Sequence, residues 1–498
     1  MHTVPFRLKT AALAGAALLC ACTTSATNAG VPSPLFAAMR AGTASSWPVF
    51  GHDPARSGVD TGDTILTTSN VSKLAAKWQI SLGQVSDSTP ILLPYVKIGT
   101  VRDAVLFQTA KNGETFAIHA HTGKILWRYA TSGPNITDST PAADPSGTAI
   151  YVPGVDGKVH KLDAATGKEL AAPGFPVKIT RIPDTEKNAS ALNVANGYLY
   201  ATTSGYFGDA PPYDGHVVAV NLSTGATHVF NSLCSKQKSL PTRTSCPQSD
   251  SGIWSRGGAV VDPDPSRNGE VYAATGNGLF NADKGGENYG DSVLGLTADV
   301  STLQGSYTPS DYAQLENGDV DLGSTSPALI PRQSTSSTPL MLVQGGKDSI
   351  LRLVDRAKLP GVGGELQQIN LPTLLYATPA VWTDARNRVW IYASFPQEIQ
   401  AYQLQTNARG KSSLVNVWNS HAGSTNGEGT SPVVSNGIVF VAMDNALLAL
   451  DALTGKQLWS SANTRHTIGP VHWESPIVVN GWVYCSDENG KLTAYALP

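Results

Sequence analysis

One turn phrase recurs through this sequence and constrains the fold more than any other feature. It reads HAHTGKILW from His119, DAATGKEL from Asp163, NLSTGATHVF from Asn221 and DALTGKQLW from Asp451. A run with apolar and polar residues in alternation precedes each copy, which is the pattern of a half-buried β-strand. Glycine supplies the left-handed residue of a tight turn, and the Asp or Asn four residues earlier can accept the turn N–H groups. The phrase therefore predicts a scaffold hairpin rather than a catalytic motif.

A second signature opens each repeating unit, and it occurs eight times. The openings are DSTP at Asp87 and Asp138, NASA at Asn188, DSGIW at Asp250, STSP at Ser324, YATP at Tyr376, GTSP at Gly429 and WESP at Trp473. Four-stranded units that recur every 40 residues or so are typical of a β-propeller. The fourth unit is the longest, and we attribute its length to an insertion over 285–318.

The two ends of the sequence complement each other. The eighth unit ends with KLTAYALP and lacks an outer strand, whereas AAKWQISL, residues 75–82, is a strand with no unit of its own. Pairing the two would close the ring and leave no sheet edge open. The sequence thus predicts an all-β, eight-bladed propeller of four-stranded antiparallel blades over 47–498, with the N-terminal strand closing the last blade.

Composition narrows the possible partners. The net charge of −3 and the absence of a basic stripe argue against a nucleic-acid binder. The 48 glycines and 32 prolines favour strands and turns over helices. We expect a monomer whose partner is either a small molecule or another protein.

The N-terminus has the pattern of an export signal. Arg7 and Lys9 precede a short apolar run that is too short for a permanent membrane span. The segment Leu-Cys-Ala-Cys ending at Cys22 resembles a bacterial lipoprotein signal, which implies a signal peptide over 1–21, lipid on Cys22 and a flexible tether over 22–46. The expected location is the cell envelope, at the outer membrane facing the periplasm, with the lipid as the only membrane contact. An ordinary signal peptide cleaved nearby is the alternative.

The remaining cysteines suit an oxidising compartment. Cys234 and Cys246 lie close together in a polar loop, and we predict a disulfide between them. Cys485 lies in a strand-like run and is expected to be a buried free thiol.

The repeats resemble those of a known family. GKVHKLDAATGKEL and DNALLALDALTGKQLW are similar to the repeats of pyrroloquinoline-quinone (PQQ) propeller proteins, and WPVFGHDPARSGVD, residues 47–60, is similar to the start of many bacterial members. The family includes quinoprotein alcohol dehydrogenases as well as outer-membrane assembly lipoproteins that catalyse no reaction. The resemblance therefore implies the fold, while the function has to be argued from a site.

Two segments resemble the dehydrogenase site. In SGIWSRGG and ATGNGLFN, the resemblance implies that Trp254 stacks on the quinone and that Asn277 binds calcium. In DVDLGSTSP it makes Asp321 the first candidate for the catalytic base and Asp319 the second; in GGKDSILRLVD it makes Lys347 the catalytic cation at the quinone oxygens. The alternatives are a Trp packed between blades, a turn Asn and a polar turn Lys.

The sequence also departs from the dehydrogenase pattern. The vicinal Cys-Cys pair of many alcohol dehydrogenases is missing. The acidic calcium ligand that the family supplies from the preceding unit has no clear match, and YATTSGYFGD offers only Asp209.

Two other motifs are interpreted as structural. Asp262, Asp264 and Ser266 have acidic spacing, but the prolines and the missing distal Glu favour an inter-strand turn over a calcium loop. His119 and His121 flank one alanine at a hairpin, and without further ligands they are expected to be surface residues.

Two functions remain open at this point. A quinoprotein dehydrogenase acting on an alcohol, polyol or sugar requires Trp254, Asn277, Asp321 and Lys347 to converge near the propeller axis. A non-enzymatic scaffold that binds envelope proteins predicts a plugged central channel and a groove on one face.

Overall fold

The computed structural model describes residues 45–421, 428–443 and 445–498. The predicted signal peptide, the lipidation site Cys22 and almost all of the predicted tether lie outside these ranges. Ser45 is already tied to the last blade, because its N–H donates to Asn480 Oδ1 at 2.9 Å. Within the described ranges, no helix has the length and apolarity needed to cross a membrane.

Eight small antiparallel sheets follow one another along the chain, and their innermost strands contact those of neighbouring sheets. This is the predicted eight-bladed β-propeller. From inner to outer strand, blades 1 to 4 are Ile91–Ile98, Val101–Thr109, Thr115–His119 and Ile125–Tyr129; Ala142–Ala143, Ala149–Pro153, Lys158–Asp163 and Val177–Lys178; Asn193–Ala195, Tyr198–Gly205, His216–Asn221 and Thr227–Asn231; Val260–Val261, Val271–Ala274, Val293–Leu296 and Leu303–Thr308.

Blades 5 to 8 repeat the same arrangement. Their strands are Ala328–Ile330, Met341–Gln344, Ile350–Asp355 and Gln367–Asn370; Ala380–Thr383, Val389–Ser394, Glu398–Thr406 and Ser412–His421; Val433–Ser435, Ile438–Met443, Ala446–Asp451 and Gln457–Ser460; Ile477–Val479, Trp482–Asp487, Lys491–Ala496 and Ala75–Ser81. Three further strands extend blades 7, 3 and 4: Val59–Asp60, Glu186–Asn188 and Gly361–Val362. One α-helix is described, Tyr312–Gly318, with 3₁₀ turns at Val71–Lys73, Pro265–Arg267, Ala282–Lys284, Leu322–Ser324 and Ser461–Asn463.

The ring closes as the sequence predicts. Strand Ala75–Ser81 pairs antiparallel with the C-terminal strand Lys491–Ala496, so the last blade is built from both ends of the chain. Every blade thereby has its outer strand.

The recurrent tryptophan and the recurrent Thr-Gly turn dock on each other in successive blades. Trp127 Nε1 at the end of blade 1 donates to Ala164 O in the turn of blade 2 at 3.1 Å, and a methyl group added at Gly167 would lie 2.6 Å from the same indole. Trp418 and Gly455 repeat this contact between blades 6 and 7. The glycine is thus required for close approach as well as for its positive φ of 69°, and the phrase serves as a joint between blades.

Residues 47–60 fill the central channel. Backbone hydrogen bonds join this segment to five blades: Trp47 N to Leu92 O, Ala143 N to Pro48 O, Val261 N to Pro54 O, Val381 N to Ser57 O and Val434 N to Gly58 O. The buried Arg56 donates to the carbonyl groups of Phe50, Ala191, Leu192 and Gly257. The channel is therefore plugged by the WPVFGHDPARSGVD motif.

Several smaller predictions have clear outcomes. The Cys234–Cys246 disulfide is present and Cys485 is a buried free thiol, so both predictions are confirmed. The predicted insertion over 285–318 is wrong, because this segment contains the third and fourth strands of blade 4 as well as the helix.

The acidic DPDPSRNGE segment is an inter-strand turn, as predicted. Asp262 is buried and pairs through both carboxylate oxygens with the buried Arg356 of blade 5, at 2.7 and 3.2 Å. Asp264 caps the 3₁₀ turn at Ser266 N and pairs with the more exposed Arg332.

Candidate functional site

The four residues singled out by resemblance occupy equivalent positions in blades 4 and 5. Trp254 and Asp321 precede the innermost strands of these blades, and Asn277 and Lys347 follow the second strands. Because the first two strands of a blade run antiparallel, the start of one and the end of the other lie at the same edge of the sheet. The fold therefore brings the four residues to one end of the propeller.

Asp321 is the centre of the contacts between them. Its Oδ1 accepts the backbone N–H of Asn277 at 2.8 Å, and its Oδ2 forms an ion pair with Lys347 Nζ. Lys347 Nζ also lies 5.3 Å from the ring centroid of Trp254. A methyl group at Gly276 would lie 2.2 Å from Asp321 Oδ1 and 3.2 Å from Trp254 Nε1, so this position needs glycine.

The two candidate bases differ in environment. Asp321 is buried, and its side chain is 4% exposed, whereas the side chain of Asp319 is 62% exposed and lies 3.5 Å from Lys347. Burial would lower the pKa of Lys347, but the negative charges of Asp321 and Asp319 outweigh it and raise that pKa above its usual value. Lys347 therefore carries its charge at neutral pH, held mainly by Asp321.

Further acidic residues surround this group. Partial desolvation, reinforced by the charges of Asp321 and Asp319, raises the pKa of Asp209, and its Oδ1 accepts the hydroxyl of Tyr213 at 2.9 Å. Desolvation and the charge of Asp209 likewise raise the pKa of Asp250. Burial raises the pKa of Glu316, whose Oε2 is buried without a hydrogen-bond partner. The end of the propeller that carries Lys347 thus holds more carboxylates than cations.

This donor set fits a hard cation. Calcium prefers carboxylate and amide oxygens, and the site offers Asp321, Asp209, the carboxamide of Asn277 and Glu316, whose Oε2 has no hydrogen-bond partner. Asp209 supplies the acid that had no clear sequence match. At this site, no three donor atoms from described Asp, Glu or His side chains lie within 4.8 Å of one another. Among the described residues, such groups are Asp103, His119 and His121, and Asp87, His472 and Glu488.

An aromatic and cationic wall completes the site. The ring centroids of Tyr376 and Trp473 lie 6.2 and 6.1 Å from that of Trp254. The Arg256 guanidinium lies 3.9 Å from the ring centroid of Trp473 and donates to Trp254 O at 2.8 Å. Arg256 is buried, and its Nη1 has no hydrogen-bond partner.

These features fit a flat, acidic quinone as well as a cation. PQQ is an aromatic tricarboxylic acid, and a Trp face, a protonated Lys and an arginine with a free donor are the groups that such a molecule would contact. Trp254, Lys347 and Arg256 supply them within one region.

A buried carboxyl cluster lies next to the wall. Burial, together with the charge of Asp138, raises the pKa of Asp87 to about 7. Burial and the charge of Glu488 raise the pKa of Glu474 well above its usual range. Lys111 pairs with Asp87 at 2.7 Å, and the imidazole of His472 stacks on Trp473 with centroids 3.9 Å apart.

Sequence reasoning missed Arg256, Tyr376 and Trp473. Tyr376 and Trp473 lie in the opening motifs YATP and WESP, which we interpreted only as signatures of the repeat, and Arg256 lies in SGIWSRGG, where we singled out only Trp254. The available signal was that YATP and WESP begin with a large aromatic residue, whereas the other openings begin with Asp, Asn, Ser or Gly. The interpretation of His119 and His121 as isolated surface residues is also wrong in part, because Asp103 lies within ion-pair distance of both.

Comparison with known proteins places the chain in a family. The family model described as outer membrane protein assembly factor BamB, built on PQQ-like repeats, matches residues 37–275 and 404–497. These ranges make up more than half of the chain.

Curated relatives are quinoprotein enzymes at low identity. Polyvinylalcohol dehydrogenase of Sphingopyxis sp. (strain 113P3) is 25% identical over 256 residues, which cover 48% of this chain and 36% of the relative. Quinohemoprotein alcohol dehydrogenase ADH IIB of Pseudomonas putida is 25% identical over 275 residues, covering 49% and 37%. The chain therefore spans about a third of the length of these relatives.

Solved structures share the fold. Quinohemoprotein alcohol dehydrogenase ADHIIG from Pseudomonas putida HK5 has a TM-score of 0.65 at 15% identity, covering 94% of this chain and 82% of that one. BamB from Moraxella catarrhalis has a TM-score of 0.52 at 14% identity, covering 85% and 99%. Together with the family match, this identifies the chain as a member of the PQQ-like repeat β-propeller family.

Proposed function

We propose that this protein is a quinoprotein-dehydrogenase-like oxidoreductase that holds PQQ and calcium between Trp254, Asn277, Asp321 and Lys347 and oxidises an alcohol, polyol or sugar. The observation that carries the proposal is the convergence of these residues from two blades, with Asp321 bonded to both Asn277 and Lys347.

Each residue has a role that follows from its contacts. When bound, PQQ supplies a two-electron acceptor and calcium supplies a Lewis acid. We assign the removal of the substrate's hydroxyl proton to Asp321 by resemblance, and its contacts to Asn277 and Lys347 hold the buried carboxylate in one orientation. Lys347 keeps a positive charge beside Trp254, and Asn277 and Asp209 add oxygen ligands at the calcium position.

The rim of the site favours a substrate with apolar parts. Phe207, Leu279 and Leu374 are exposed apolar residues, and Phe207 is fully exposed. They lie on the loops that carry Asp209, Asn277 and Tyr376. An apolar rim around a charged centre suits an alcohol with a hydrocarbon body, and the alcohol dehydrogenases among the relatives are consistent with this substrate class.

The cellular setting of the proposal rests on the N-terminal sequence. A lipid on Cys22 would hold the enzyme at the outer membrane facing the periplasm, where PQQ and calcium would have to reach it. The second candidate function is a scaffold for envelope proteins. The description of the matching family model favours it, and the plugged channel is the structural feature that it predicts.

The test is cofactor binding followed by turnover. The Cys22→Ser protein, which cannot be lipidated, is titrated with PQQ at several calcium concentrations, and binding is followed through quenching of tryptophan fluorescence. Dye reduction is then measured with a panel of alcohols. Saturable, calcium-dependent binding and alcohol-dependent dye reduction are expected.

Asn277→Ala tests the site directly and should abolish the calcium dependence. Asn317→Ala is the matched control, because Asn317 is an exposed asparagine on the neighbouring helix. A protein that binds no PQQ at any calcium concentration would contradict the dehydrogenase proposal and favour the scaffold.

A further inference from the structure

A second group of titratable side chains lies in blade 1, outside the candidate site that blades 4 and 5 form. His119 Nε2 lies 3.0 Å from Asp103 Oδ2, and His121 Nδ1 lies 3.2 Å from Asp103 Oδ1. One donor atom from each residue lies within 4.8 Å of the other two. All three side chains reach solvent, with His121 45% exposed and Asp103 34% exposed. No Lys or Arg side chain pairs with Asp103 among the described residues; besides the two imidazoles, its Oδ1 accepts the backbone N–H of Ala104 at 2.7 Å.

The internal repeat shows that this group is specific to blade 1. His119 occupies the turn position where three sister blades carry a capping residue, and in those blades the side-chain oxygen accepts turn N–H groups. The capping residues are Asp163, Asn221 and Asp451. The backbone of the blade 1 turn is the same, since Gly123 N donates to His119 O at 2.9 Å as Gly167 N does to Asp163 O at 2.8 Å. The His119 side chain, however, turns to Asp103 instead of capping.

The other two positions depart from the repeat as well. His121 aligns with Ala165, Ser223 and Leu453 in the sister turns. In blade 1 the turn residue Ala120 donates its N–H to Ala104 O, and Asp103 is the residue before Ala104. The residues at the same position in the sister blades are Gly147, Asn196 and Asn436, which all have left-handed backbone conformations. Blade 1 thus differs from the repeat at three positions whose side chains lie together, and the hairpin itself requires none of these three residues.

The geometry fits a zinc ion. Zinc binds His nitrogen and carboxylate oxygen at about 2.0–2.2 Å, so tetrahedral ligands lie roughly 3.3 Å apart. His119 and His121 approach different oxygens of Asp103, at 3.0 and 3.2 Å, and one donor atom from each of the three residues lies within 4.8 Å of the other two, so a single ion could reach all three side chains. Two His and one carboxylate leave a fourth position for water. His119 Nδ1 is buried without a partner, so one outer hydrogen bond that usually supports a zinc ligand is missing.

The group lies at the seam where the ring closes. Trp78 of the closing strand donates from Nε1 to Ala120 O at 2.9 Å, between the two histidines. The ring of Trp482 in blade 8 lies 5.2 Å from that of His121. An ion held here would fix the blade 1 turn in the conformation that accepts the Trp78 indole and packs against Trp482.

We propose that Asp103, His119 and His121 form a zinc site that stabilises the closure of the propeller. The site is independent of PQQ, calcium and the proposed oxidoreductase activity.

The test uses the Cys22→Ser protein without an affinity tag, titrated with Zn²⁺ in competition with a chromogenic chelator. One high-affinity zinc per chain and a zinc-dependent rise in melting temperature are expected. Cobalt substitution should give the visible absorption of a tetrahedral site. Loss of an outer-sphere partner weakens metal binding about 10- to 100-fold. His121→Ala removes a ligand and Asp103→Asn removes the negative charge of one, so each should weaken zinc binding by more than about 100-fold and abolish the thermal shift.

His228→Ala is the matched control. His228 Nδ1 lies 3.2 Å from Asp299 Oδ2 with a side chain 48% exposed, so this pair copies the His121–Asp103 pair without a third ligand. Its substitution should leave zinc binding unchanged. Wild-type zinc affinity in His121→Ala and Asp103→Asn would overturn the proposal. So would an equal loss in His228→Ala, or a loss only in His472→Ala, which would place the ion at the Asp87–His472–Glu488 group.

Discussion

The two aspartates next to Lys347 provide a sharp test of the candidate site. Sequence resemblance made Asp321 the first candidate for the base and Asp319 the second, and the two carboxylates pair with the same lysine. Asp→Asn at either position removes one negative charge and keeps the size of the side chain. The structure predicts that the two substitutions have very different effects.

The expected magnitudes follow from exposure. The Asp321 and Lys347 side chains are 4% and 18% exposed, and removing one partner of a buried ion pair lowers the free energy of unfolding by about 3–5 kcal/mol. The Asp319 side chain is 62% exposed and lies 3.5 Å from the lysine, so solvent screening limits its contribution to about 1 kcal/mol or less.

The assay is the free energy of unfolding of both variants, measured by chemical denaturation. Asp321→Asn should lower it by about 3–5 kcal/mol, and Asp319→Asn by about 1 kcal/mol or less. Circular dichroism and thermal melting establish that both variants are folded. Equal losses in the two variants, or a larger loss in Asp319→Asn, would refute the assignment of Asp321 as the centre of the site.

Three further predictions concern the fold. Asp262→Ala leaves the buried Arg356 without its carboxylate partner and should lower the free energy of unfolding by about 3–5 kcal/mol. Asp264→Ala loses a turn cap and the more exposed pair with Arg332 and should lower it by only about 1–2 kcal/mol, and chemical denaturation measures both values. Burial raises the pKa of Glu186 to about 8; between its ordinary value and that pKa only the unfolded chain ionises, so stability falls as pH rises over this range. Glu186→Gln should therefore melt higher than the wild type at pH 8, and no higher at pH 4. Reducing the Cys234–Cys246 bridge, which spans a sequence separation of 12, should cost about 3 kcal/mol, measured by denaturation with and without reductant.

The scaffold was predictable because it repeats. Eight openings and four copies of one hairpin phrase report the same local structure many times, so a chance match in one unit carries little weight. Closure was predictable as well, since the orphan strand Ala75–Ser81 and the incomplete last unit fit each other. A plugged channel was predicted only under the scaffold alternative, and the segment that forms the plug was not identified. Residues 47–60 have no repeat to compare with, and their partners are backbone groups of distant blades.

The site was predictable only where resemblance marked it. Trp254 and Asp321 precede the first strands of their blades, and Asn277 and Lys347 follow the second strands, so their convergence follows from the topology of the repeat. Arg256 and Trp473 join the site through contacts between blades that are far apart in sequence. The strand register could have pointed to Asp103. Val105 pairs with His119, and Asp103 lies two residues before Val105 on the same strand and therefore on the same face of the sheet.

The plugged channel and the charged site bear differently on the two functions. A plug of backbone hydrogen bonds stabilises any propeller, so it fits an enzyme as well as a scaffold. Buried polar atoms without hydrogen-bond partners destabilise the fold, because each one costs free energy in the folded state. Arg256 Nη1 and Glu316 Oε2 are such atoms, and both lie beside residues that contact Trp254 or Asp321. A scaffold gains nothing from them at this position, whereas a site that binds an acidic quinone and a cation would satisfy both.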